Sequence, residues 1–189
     1  GQGKTEELNQ TLFSISEITT RMESITRQLK DFSRKSPLNI KSIDIREPLE
    51  RAVALLQYAV TDAQCDLVVD APDRPLQVKG DRLRLEQVFV NLIKNSLDAM
   101  ETSENKAIAI TFTQNDDHVQ VRIKDTGPGI DPELETQIFT PFFTTKAKGD
   151  GLGLGLSISL GIVKEMAGQI LLCNDNGPGA CFVVKLKKG

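Results

Sequence analysis

Two asparagines stand four residues apart in a segment with the hydrophobic pattern of an amphipathic helix. Asn91 and Asn95 therefore share one helix face, turned away from the stripe of leucine, valine and phenylalanine side chains. Asparagine is a poor residue for a helix interior because its amide competes for nearby backbone groups, so the pair suggests a task beyond helix formation. An amide oxygen is a hard ligand that suits Mg²⁺ shared with phosphates. Taken alone, the helix is also consistent with two solvated surface amides.

Glycines are concentrated in residues 125–159, on either side of an aromatic-rich insert. Gly127 and Gly129 directly follow an alternating strand pattern, and the glycines of residues 151–155 open an amphipathic helix pattern. A glycine-rich turn that leads into a helix is suited to anions, because bare backbone N–H groups and the positive end of the helix dipole point outwards there. This stretch therefore predicts an anion site.

Asp125, at the end of a predicted strand beside these glycines, presents a carboxylate that can only accept hydrogen bonds. Such a group could bind an exocyclic amine such as that of adenine. The glycine-opened helix would then hold phosphates, and Mg²⁺ at Asn95 would bridge them. Together these residues predict a nucleotide site.

The insert at residues 139–150 places Phe142 and Phe143 beside Lys146 and Lys148. An ordinary surface loop leaves two adjacent phenylalanines unexplained. A flexible lid that faces phosphates and carries an aromatic latch accounts for both residue types, so the pattern predicts a lid over the nucleotide.

The rest of the chain supplies the elements that position these residues. Helix patterns begin near Asp44, at Asp81 and at residue 155, and the first of them extends to about Thr61. Alternating or short apolar runs predict strands at residues 66–69, 76–78, 107–113, 118–124, 169–173 and 181–186. Long helices that alternate with antiparallel strand pairs predict an α+β fold, a two-layer α/β sandwich with one mixed sheet covered by helices on one face.

The first two of these helices carry start signals and apolar faces. Asp44 stands three residues before Glu47, as in a capping box, and Asp81 is placed to cap the second helix. The predicted buried positions are Leu49, Val53, Leu56 and Val60 in the first helix and Leu85, Val88, Phe89, Leu92 and Ile93 in the second.

A longer helix pattern precedes this fold. Apolar residues recur at steps of three and four across residues 8–33, which is typical of a coiled-coil-type helix, and Pro37 ends the pattern. A single helix cannot bury such a stripe, so we expect a homodimer through this helix, with docking on the rest of the same chain as the alternative. The stripe consists of Leu8, Leu12, Ile15, Ile18, Met22, Ile25, Leu29 and Phe32.

Composition narrows the functional classes. The 189 residues carry a formal net charge of −3, which gives no reason to expect nucleic-acid binding, and no apolar run reaches the length of a membrane span. Cys65, Cys173 and Cys181 form neither an even disulfide set nor a zinc spacing, so reduced thiols are expected. Cys173 and Cys181 could nevertheless face each other across a hairpin. The P-loop, G-x-G-x-x-G, H-R-D and D-F-G motifs do not occur.

Four segments, in this order, resemble the N, G1, F and G2 boxes in the ATP-binding domain of sensor histidine kinases. They are NLIKNSLDAM (91–100), DTGPGI (125–130), FTPFFTTK (139–146) and GLGLGLSIS (151–159). The earlier segment ITRQLKDFSRK (25–35) resembles the second helix of the dimerisation domain. Its sequence is similar to that of sensor kinases of the C4-dicarboxylate transport type. The resemblance implies the ATP-binding fold shared with gyrase, the Hsp90 chaperones and MutL. Residues 1–36 would be an incomplete dimerisation domain, and residues 37–189 the catalytic domain.

The resemblance also implies roles for individual residues. Asn95 would ligate Mg²⁺, Asp125 would bind adenine and Lys146 would approach the terminal phosphate of ATP. Asn91 and Lys146 are the catalytic candidates. An amide at position 91, where the ATPases of this superfamily carry a glutamate, disfavours water activation and suits transfer to a protein group. The nucleotide-binding candidates are Asn95, Asp98, Asp125, Gly127, Gly129, Phe142, Phe143, Gly151, Leu152, Gly153, Leu154 and Gly155.

The acceptor histidine sets a limit on this function. The family carries it on the first dimerisation helix, and no such segment occurs here; the one histidine, His118, is expected to be a solvated turn residue. We therefore expect a fragment that binds Mg-ATP and does not phosphorylate itself. It would serve a histidine elsewhere and a response-regulator receiver domain, in the cytoplasmic portion of an inner-membrane sensor protein. Two alternatives remain: an ATPase of the same fold, and a non-catalytic nucleotide-sensing dimerisation module.

Overall fold

The computed structural model describes Thr11, Thr19 and residues 38–146, 152–173 and 177–189. The chain divides into two units, Gly1–Ser36 and Pro37–Gly189. Thr11 and Thr19 are helical, and the rest of the predicted heptad helix lies outside the described residues. Its role in dimerisation stays a prediction.

The described part of the second unit contains strands, α-helices and a short 3₁₀ turn at Pro132–Leu134. The strands are β1 (Lys41–Asp44), β2 (Asp66–Asp70), β3 (Gln77–Gly80), β4 (Ala107–Gln114), β5 (His118–Asp125), β6 (Gln169–Leu172) and β7 (Cys181–Lys187). The helices are α1 (Arg46–Asp62), α2 (Arg82–Ala99) and α3 (Gly155–Glu165).

A five-stranded mixed sheet has the order β2, β4, β5, β7, β6. The β2–β4 pair is parallel and the other pairs are antiparallel. Because parallel neighbours need a crossover, the chain passes through β3 and α2 between β2 and β4. β1 and β3 form a separate antiparallel pair. The α+β fold with a mixed sheet is confirmed, whereas β1, whose sequence KSID has one apolar residue, was not predicted.

The helices and the large sheet share one hydrophobic core. β5 contributes alternate residues, so that Val119, Val121 and Ile123 are buried. Asp81 caps α2 as predicted, because its side chain accepts hydrogen bonds from the N–H groups of Leu83 and Arg84. The buried face of α2 includes all the predicted residues, Leu85, Val88, Phe89, Leu92 and Ile93. In α1, Leu49 is buried and Val53, Leu56 and Val60 pack against the core partly buried.

The start of α1 differs from the prediction. Asp44 lies in β1, and the residue before the helix is Ile45, which provides no side-chain cap. The Asp44 carboxylate instead accepts from the Arg46 guanidinium at 2.6 Å and from the Leu76 N–H at 3.2 Å. The carboxylate also accepts from the backbone N–H of Arg46, the first residue of α1, at 3.2 Å. The capping-box prediction is wrong in position, because Asp44 lies one residue before the N-cap, but Asp44 does bind a backbone N–H at the start of the helix.

The cysteines also differ from the expectation. Cys173 and Cys181 form a disulfide, and Cys65 is free. The Cys173 N–H donates to the Cys181 carbonyl at 2.8 Å, which extends the β6–β7 ladder by one step and brings the two side chains together. The expectation of reduced thiols is wrong for this pair, and the hairpin arrangement is the reason.

Asp44→Asn tests the tie between β1, α1 and β3. Burial raises the pKa of Asp44, but the hydrogen bonds from Arg46 and Leu76 lower it by more, so the pKa lies below its ordinary value. A carboxylate with a depressed folded pKa stabilises the fold above its unfolded pKa and loses that contribution as the pH falls through the folded pKa. We expect the variant to lower the free energy of unfolding at pH 7 by about 1–3 kcal/mol, measured by urea denaturation.

The gap between variant and parent should narrow from about pH 4 downwards, where the unfolded-state carboxylate begins to protonate. Asp70→Asn is the matched control, since Asp70 is exposed on β2. It should change the free energy of unfolding by less than about 0.5 kcal/mol. Equal stability of Asp44→Asn and the parent at pH 7 would contradict the assignment.

Candidate functional site

Asp125 ends β5 with its carboxylate inside the protein, only 2% exposed. Its Oδ1 accepts hydrogen bonds from the Gly127 N–H at 3.0 Å and the Ala180 N–H at 2.9 Å. The backbone N–H of Asp125 in turn donates to the Ala180 carbonyl at 3.0 Å. Among the described residues no group donates to Oδ2. Because a carboxylate oxygen only accepts, Oδ2 is suited to a hydrogen-bond donor of a ligand.

Two Gly-Pro-Gly turns, residues 127–129 and 177–179, meet beside this carboxylate. Gly129 and Gly179 have φ angles of +82° and +88°, which favour glycine. A Cβ added at Gly179 would lie 1.8 Å from the Asp125 carbonyl oxygen, so only a glycine allows this approach. The prediction included Gly127 and Gly129 but missed Gly179 and Ala180. The repeated Gly-Pro-Gly sequence was the one signal that could have revealed the second turn.

Thr126 fixes the first turn from the other side. Its Oγ1 accepts from the Ala107 N–H at 3.0 Å and donates to the Asn105 carbonyl at 2.9 Å. Its own N–H donates to the Ala107 carbonyl at 3.1 Å. Asp125 is therefore placed by its own hydrogen bonds to Ala180, just before β7, and by those of its neighbour Thr126 to Ala107 of β4.

The polar face of α2 carries Asn91, Asn95 and Asp98, all half-buried. The Asn91 Nδ2 donates to the Gly155 carbonyl at 3.4 Å and to the Ser159 hydroxyl at 3.3 Å. Ser159 is fully buried, and the prediction did not include it. The Asn91 amide thus connects α2 to the first turns of α3. Within the described residues, no group is hydrogen-bonded to the Asn95 amide, so its oxygen is available to a ligand.

The glycine-rich start of α3 packs against the phenylalanine segment. The Phe142 N–H donates to the Gly153 carbonyl at 3.0 Å. A Cβ added at Gly153, whose φ is +65°, would lie 2.3 Å from the Phe143 carbonyl oxygen. Among the described residues no side chain caps α3, so its first N–H groups are suited to an anion. Leu154 is 1% exposed, so its side chain belongs to the core and only its backbone can face a ligand.

The two predicted phenylalanines occupy different surroundings. Phe143 packs against the core, whereas Phe142 is 61% exposed. Phe142 also has a φ of 68°, a conformation that is strained for a residue other than glycine. The structure therefore does not bring the two rings together.

Lys146 reaches back to α2. Its ammonium group lies 2.5 Å from the Asp98 carboxylate, and the two side chains are 33% and 35% exposed. Water screens a pair this exposed, so its attraction is modest. Lys148, Asp150 and Gly151 lie outside the described residues.

These groups could complement the parts of a nucleotide. Asp125 offers an acceptor for an amino group, Asn95 an amide oxygen for a cation, and Lys146 and the start of α3 offer donors for phosphates. The described residues contain no cluster of three or more histidine, cysteine, aspartate or glutamate side chains for a metal ion. A divalent cation held at Asn95 would take its remaining ligands from phosphates and water, as Mg²⁺ does. The donor set fits Mg²⁺ that arrives with a nucleotide. Within the described part of the chain, no helix is both long and apolar enough to span a membrane.

Residues 80–189 match the model of one protein family, described as histidine kinase-, DNA gyrase B-, and HSP90-like ATPase. The chain belongs to this family. The C4-dicarboxylate transport sensor protein DctB of Rhizobium meliloti (strain 1021) is 37% identical, over 99% of this chain and 30% of that protein. The chain thus spans about a third of the length of this relative. The family match and this relative confirm the resemblance to sensor histidine kinases.

Solved structures agree with the fold. The catalytic domain of histidine kinase ThkA is similar with a TM-score of 0.69 and 32% identity, over 79% of this chain and 98% of that domain. ThkA in complex with the response regulator protein TrrA is similar with a TM-score of 0.75 and 30% identity, over 93% of this chain and 49% of that kinase chain. This chain contains the ATP-binding domain of the family.

Gly179→Ala tests whether the second Gly-Pro-Gly turn supports the site. The new Cβ would collide with the Asp125 carbonyl, and the φ of +88° would be strained. We expect the free energy of unfolding to fall by about 1–3 kcal/mol or more, and ATP binding, measured by calorimetry, to weaken.

Gly161→Ala is the matched control, because nothing lies within 4 Å of a Cβ at this position of α3. It should raise the free energy of unfolding by about 0.5–1 kcal/mol, since alanine favours a helix interior. If the two variants were equally stable, the close approach at Gly179 would not matter to the fold.

Proposed function

We propose that this chain is the catalytic part of a sensor histidine kinase, which transfers the γ-phosphoryl group of Mg-ATP to a histidine of another segment or subunit. The observation that carries the proposal is the buried Asp125 carboxylate. Two backbone N–H groups hold one of its oxygens, and the other has no partner among the described residues. In a chain of an ATP-binding family, this oxygen is suited to the amino group of adenine.

The remaining nucleotide contacts follow from the elements around Asp125. The backbone of Gly127 and Gly129 lines the purine end, and the glycine-opened start of α3 faces the phosphates. Asn95 holds Mg²⁺, which neutralises phosphate charge when it is bound. Phosphoryl transfer depends on positioning and charge neutralisation, which these neutral and cationic groups supply.

Lys146 exchanges partners in this proposal. The ion pair with Asp98 keeps the ammonium group beside the polar face of α2 when no phosphate is present. A terminal phosphate carries more negative charge than a carboxylate and accepts several hydrogen bonds, so it competes for Lys146. Asp98 therefore holds the Lys146 ammonium group close to the position proposed for the terminal phosphate.

Asn91 supports transfer rather than hydrolysis. Its Nδ2 donates to Gly155 and Ser159, so the amide positions the start of α3. An amide is also a much weaker base than a carboxylate and does not activate water. We therefore assign Asn91 to positioning the phosphate-binding turn, a role that supports a kinase rather than an ATPase within this family.

The partners follow from the same proposal. ThkA, which resembles this chain, has been crystallised with a response regulator, and we propose a receiver domain as the next phosphoryl acceptor here. The heptad stripe of residues 8–33 supports a homodimer. Relatives that are transport sensors support a place on the inner side of a membrane-anchored sensor.

Asp125→Asn tests the purine contact. The amide oxygen can replace Oδ1 and keep both backbone hydrogen bonds, while the NH₂ group takes the place of Oδ2 and faces the amino group of adenine donor to donor. We expect the dissociation constant of Mg-ATP, measured by calorimetry, to rise about tenfold to a hundredfold. Mg-ITP, which carries a carbonyl oxygen in place of the amino group, should bind the variant better than Mg-ATP.

Asp116→Asn is the control, because Asp116 is exposed in the β4–β5 turn. It should leave both dissociation constants unchanged. Binding of Mg-ATP to Asp125→Asn as tightly as to the parent would exclude the adenine assignment.

Phosphoryl transfer tests the kinase assignment. With ATP labelled at the γ-phosphate, we expect the chain alone to take up no acid-labile label, and a dimerisation domain with an acceptor histidine from a kinase of the same sensor type to be labelled in trans. Lys146→Ala should slow the transfer about tenfold or more, because one charge-assisted contact to the phosphate is lost. Lys164→Ala, exposed at the end of α3, should not change it.

Two results would count against this assignment. His118 begins β5, at the opposite end of the strand from Asp125, so label that disappears in His118→Ala would refute the absence of self-phosphorylation. Steady phosphate release that needs no acceptor would instead favour the ATPase alternative.

A further inference from the structure

The Cys173–Cys181 disulfide lies next to the purine end of the site. It joins the end of β6 to the first residue of β7, with Cα atoms 5.3 Å apart. Ala180, the residue before Cys181, donates its N–H to the Asp125 carboxylate at 2.9 Å. It also accepts the Asp125 N–H at 3.0 Å. Only one peptide unit therefore separates the disulfide from the groups that hold Asp125.

We propose that Cys173 and Cys181 form a reversible redox site, at which a dithiol reductant opens the disulfide and thereby weakens nucleotide binding at Asp125. This inference rests on the proposed function for its nucleotide, but its structural link, from Cys181 through Ala180 to Asp125, does not.

The disulfide restrains the strand end that carries Ala180. β6 has four residues and lies at the edge of the sheet, paired on one side with β7. The ends of short edge strands open more readily than the centre of a sheet. With the disulfide present, Cys181 is fixed from both sides, by Cys173, which follows β6, and by its pairing with Lys124 of β5. Without it, the β6 side holds Cys181 through hydrogen bonds alone.

The consequence reaches the ligand through Oδ1 of Asp125. If the Ala180 N–H moves away, Oδ1 keeps the Gly127 N–H as its one backbone donor, and the carboxylate is free to rotate. Oδ2, the oxygen proposed for the adenine amino group, then has no fixed direction. The lost hydrogen bond orients the carboxylate but does not touch the ligand, so only part of its free energy is lost from binding. We expect the affinity to be weaker by about three- to tenfold.

The exposure of the two sulfurs sets the order of the reaction. Cys181 is 2% exposed, whereas Cys173 is partly exposed. A thiolate of the dithiol attacks Sγ of Cys173, the S–S bond breaks and Cys181 leaves as a thiolate. The second thiol of the reagent then displaces Cys173 from the mixed disulfide. Two electrons and two protons pass from the dithiol to the cystine, and the reagent becomes a disulfide.

Cys65 does not take part in this exchange. Burial and the neighbouring carboxylate of Asp66 raise the pKa of its thiol, which keeps it protonated and less reactive. Cys65 directly precedes β2, which is the edge strand on the opposite side of the sheet from β6. In a chain that carries Cys65→Ser, any thiol that appears on reduction therefore comes from Cys173 or Cys181.

The test compares the whole chain, carrying Cys65→Ser, in its oxidised form and after treatment with dithiothreitol. We expect mass spectrometry to show two new thiols, with the mixed disulfide trapped at Cys173. The dissociation constants of Mg-ATP and of adenosine should rise by the same factor, about three- to tenfold, and return on reoxidation. Adenosine lacks phosphates, so an equal factor places the effect at the purine end.

A variant with both Cys173→Ser and Cys181→Ala should bind like the reduced form and ignore dithiothreitol. Unchanged affinity after complete reduction, even with a lower melting temperature, would show a purely structural disulfide and overturn the proposal. A disulfide that resists dithiothreitol in the folded chain would overturn it too.

Hydrogen exchange at the Ala180 amide separates this proposal from the proposed function. Faster exchange in the reduced form supports the link to Asp125, and equal exchange refutes it, whether or not a nucleotide binds. Absence of ATP binding in both forms would refute the proposed function, and with it the effect on nucleotide binding, while the exchange rate would still decide the link from Cys181 to Asp125.

Discussion

A carboxylate that leaves water must be compensated by hydrogen bonds, and the Asp125 carboxylate meets this requirement with backbone groups. The two donors, on Gly127 and Ala180, come from turns that are distant in sequence, so the site exists only when β5 lies beside β7. The same pairing brings two Gly-Pro-Gly turns into contact, which is why Gly179 has no room for a side chain. The pairing of β5 with β7 and the hydrogen bonds that hold the Asp125 carboxylate, the acceptor proposed for a purine, therefore depend on each other.

The second requirement is the orientation of α2. Its apolar stripe, which includes Leu92 and Ile93, is buried, and this leaves Asn91 and Asn95 on the polar face, where Asn91 contacts α3. The two amides then have different uses. Asn91 is engaged with Gly155 and Ser159, so it fixes the distance between the helices, whereas Asn95 has no such partner among the described residues. Packing in the core thus decides which amide can reach a ligand.

The sequence revealed features that depend on local pattern and missed those that depend on distant contacts. Periodicity located α2, β4 and β5, and the chemistry of a strand-end carboxylate located Asp125. Ser159, Gly179 and Ala180 were missed because their partners lie 50 or more residues away, as the 55 residues between Asp125 and Ala180 illustrate.

Local patterns were also incomplete: Asp44 was predicted to be the helix cap, but it lies one residue before the N-cap, and its carboxylate binds both the backbone N–H and the side chain of Arg46. An odd number of cysteines suggested reduced thiols, whereas hairpin register decides which pair bonds. The roles of the nucleotide contacts stay predictions.

The two ends of the proposed nucleotide site are held by different kinds of interaction, and this difference suits the proposed phosphoryl transfer. The proposed purine end consists of buried backbone hydrogen bonds around the Asp125 carboxylate, which is 2% exposed. Breaking these hydrogen bonds would leave a buried charge unsatisfied, which costs free energy, so this end is rigid. The proposed phosphate end contains the partly exposed ion pair of Lys146 with Asp98, whose attraction is weak, and Phe142, whose backbone conformation is strained. A nucleotide held by its base can therefore stay bound while the groups around its terminal phosphate rearrange towards an acceptor on another segment. Under the proposed function, rigid binding of the purine and exchangeable contacts to the phosphates would let the domain hold ATP and still deliver its phosphoryl group.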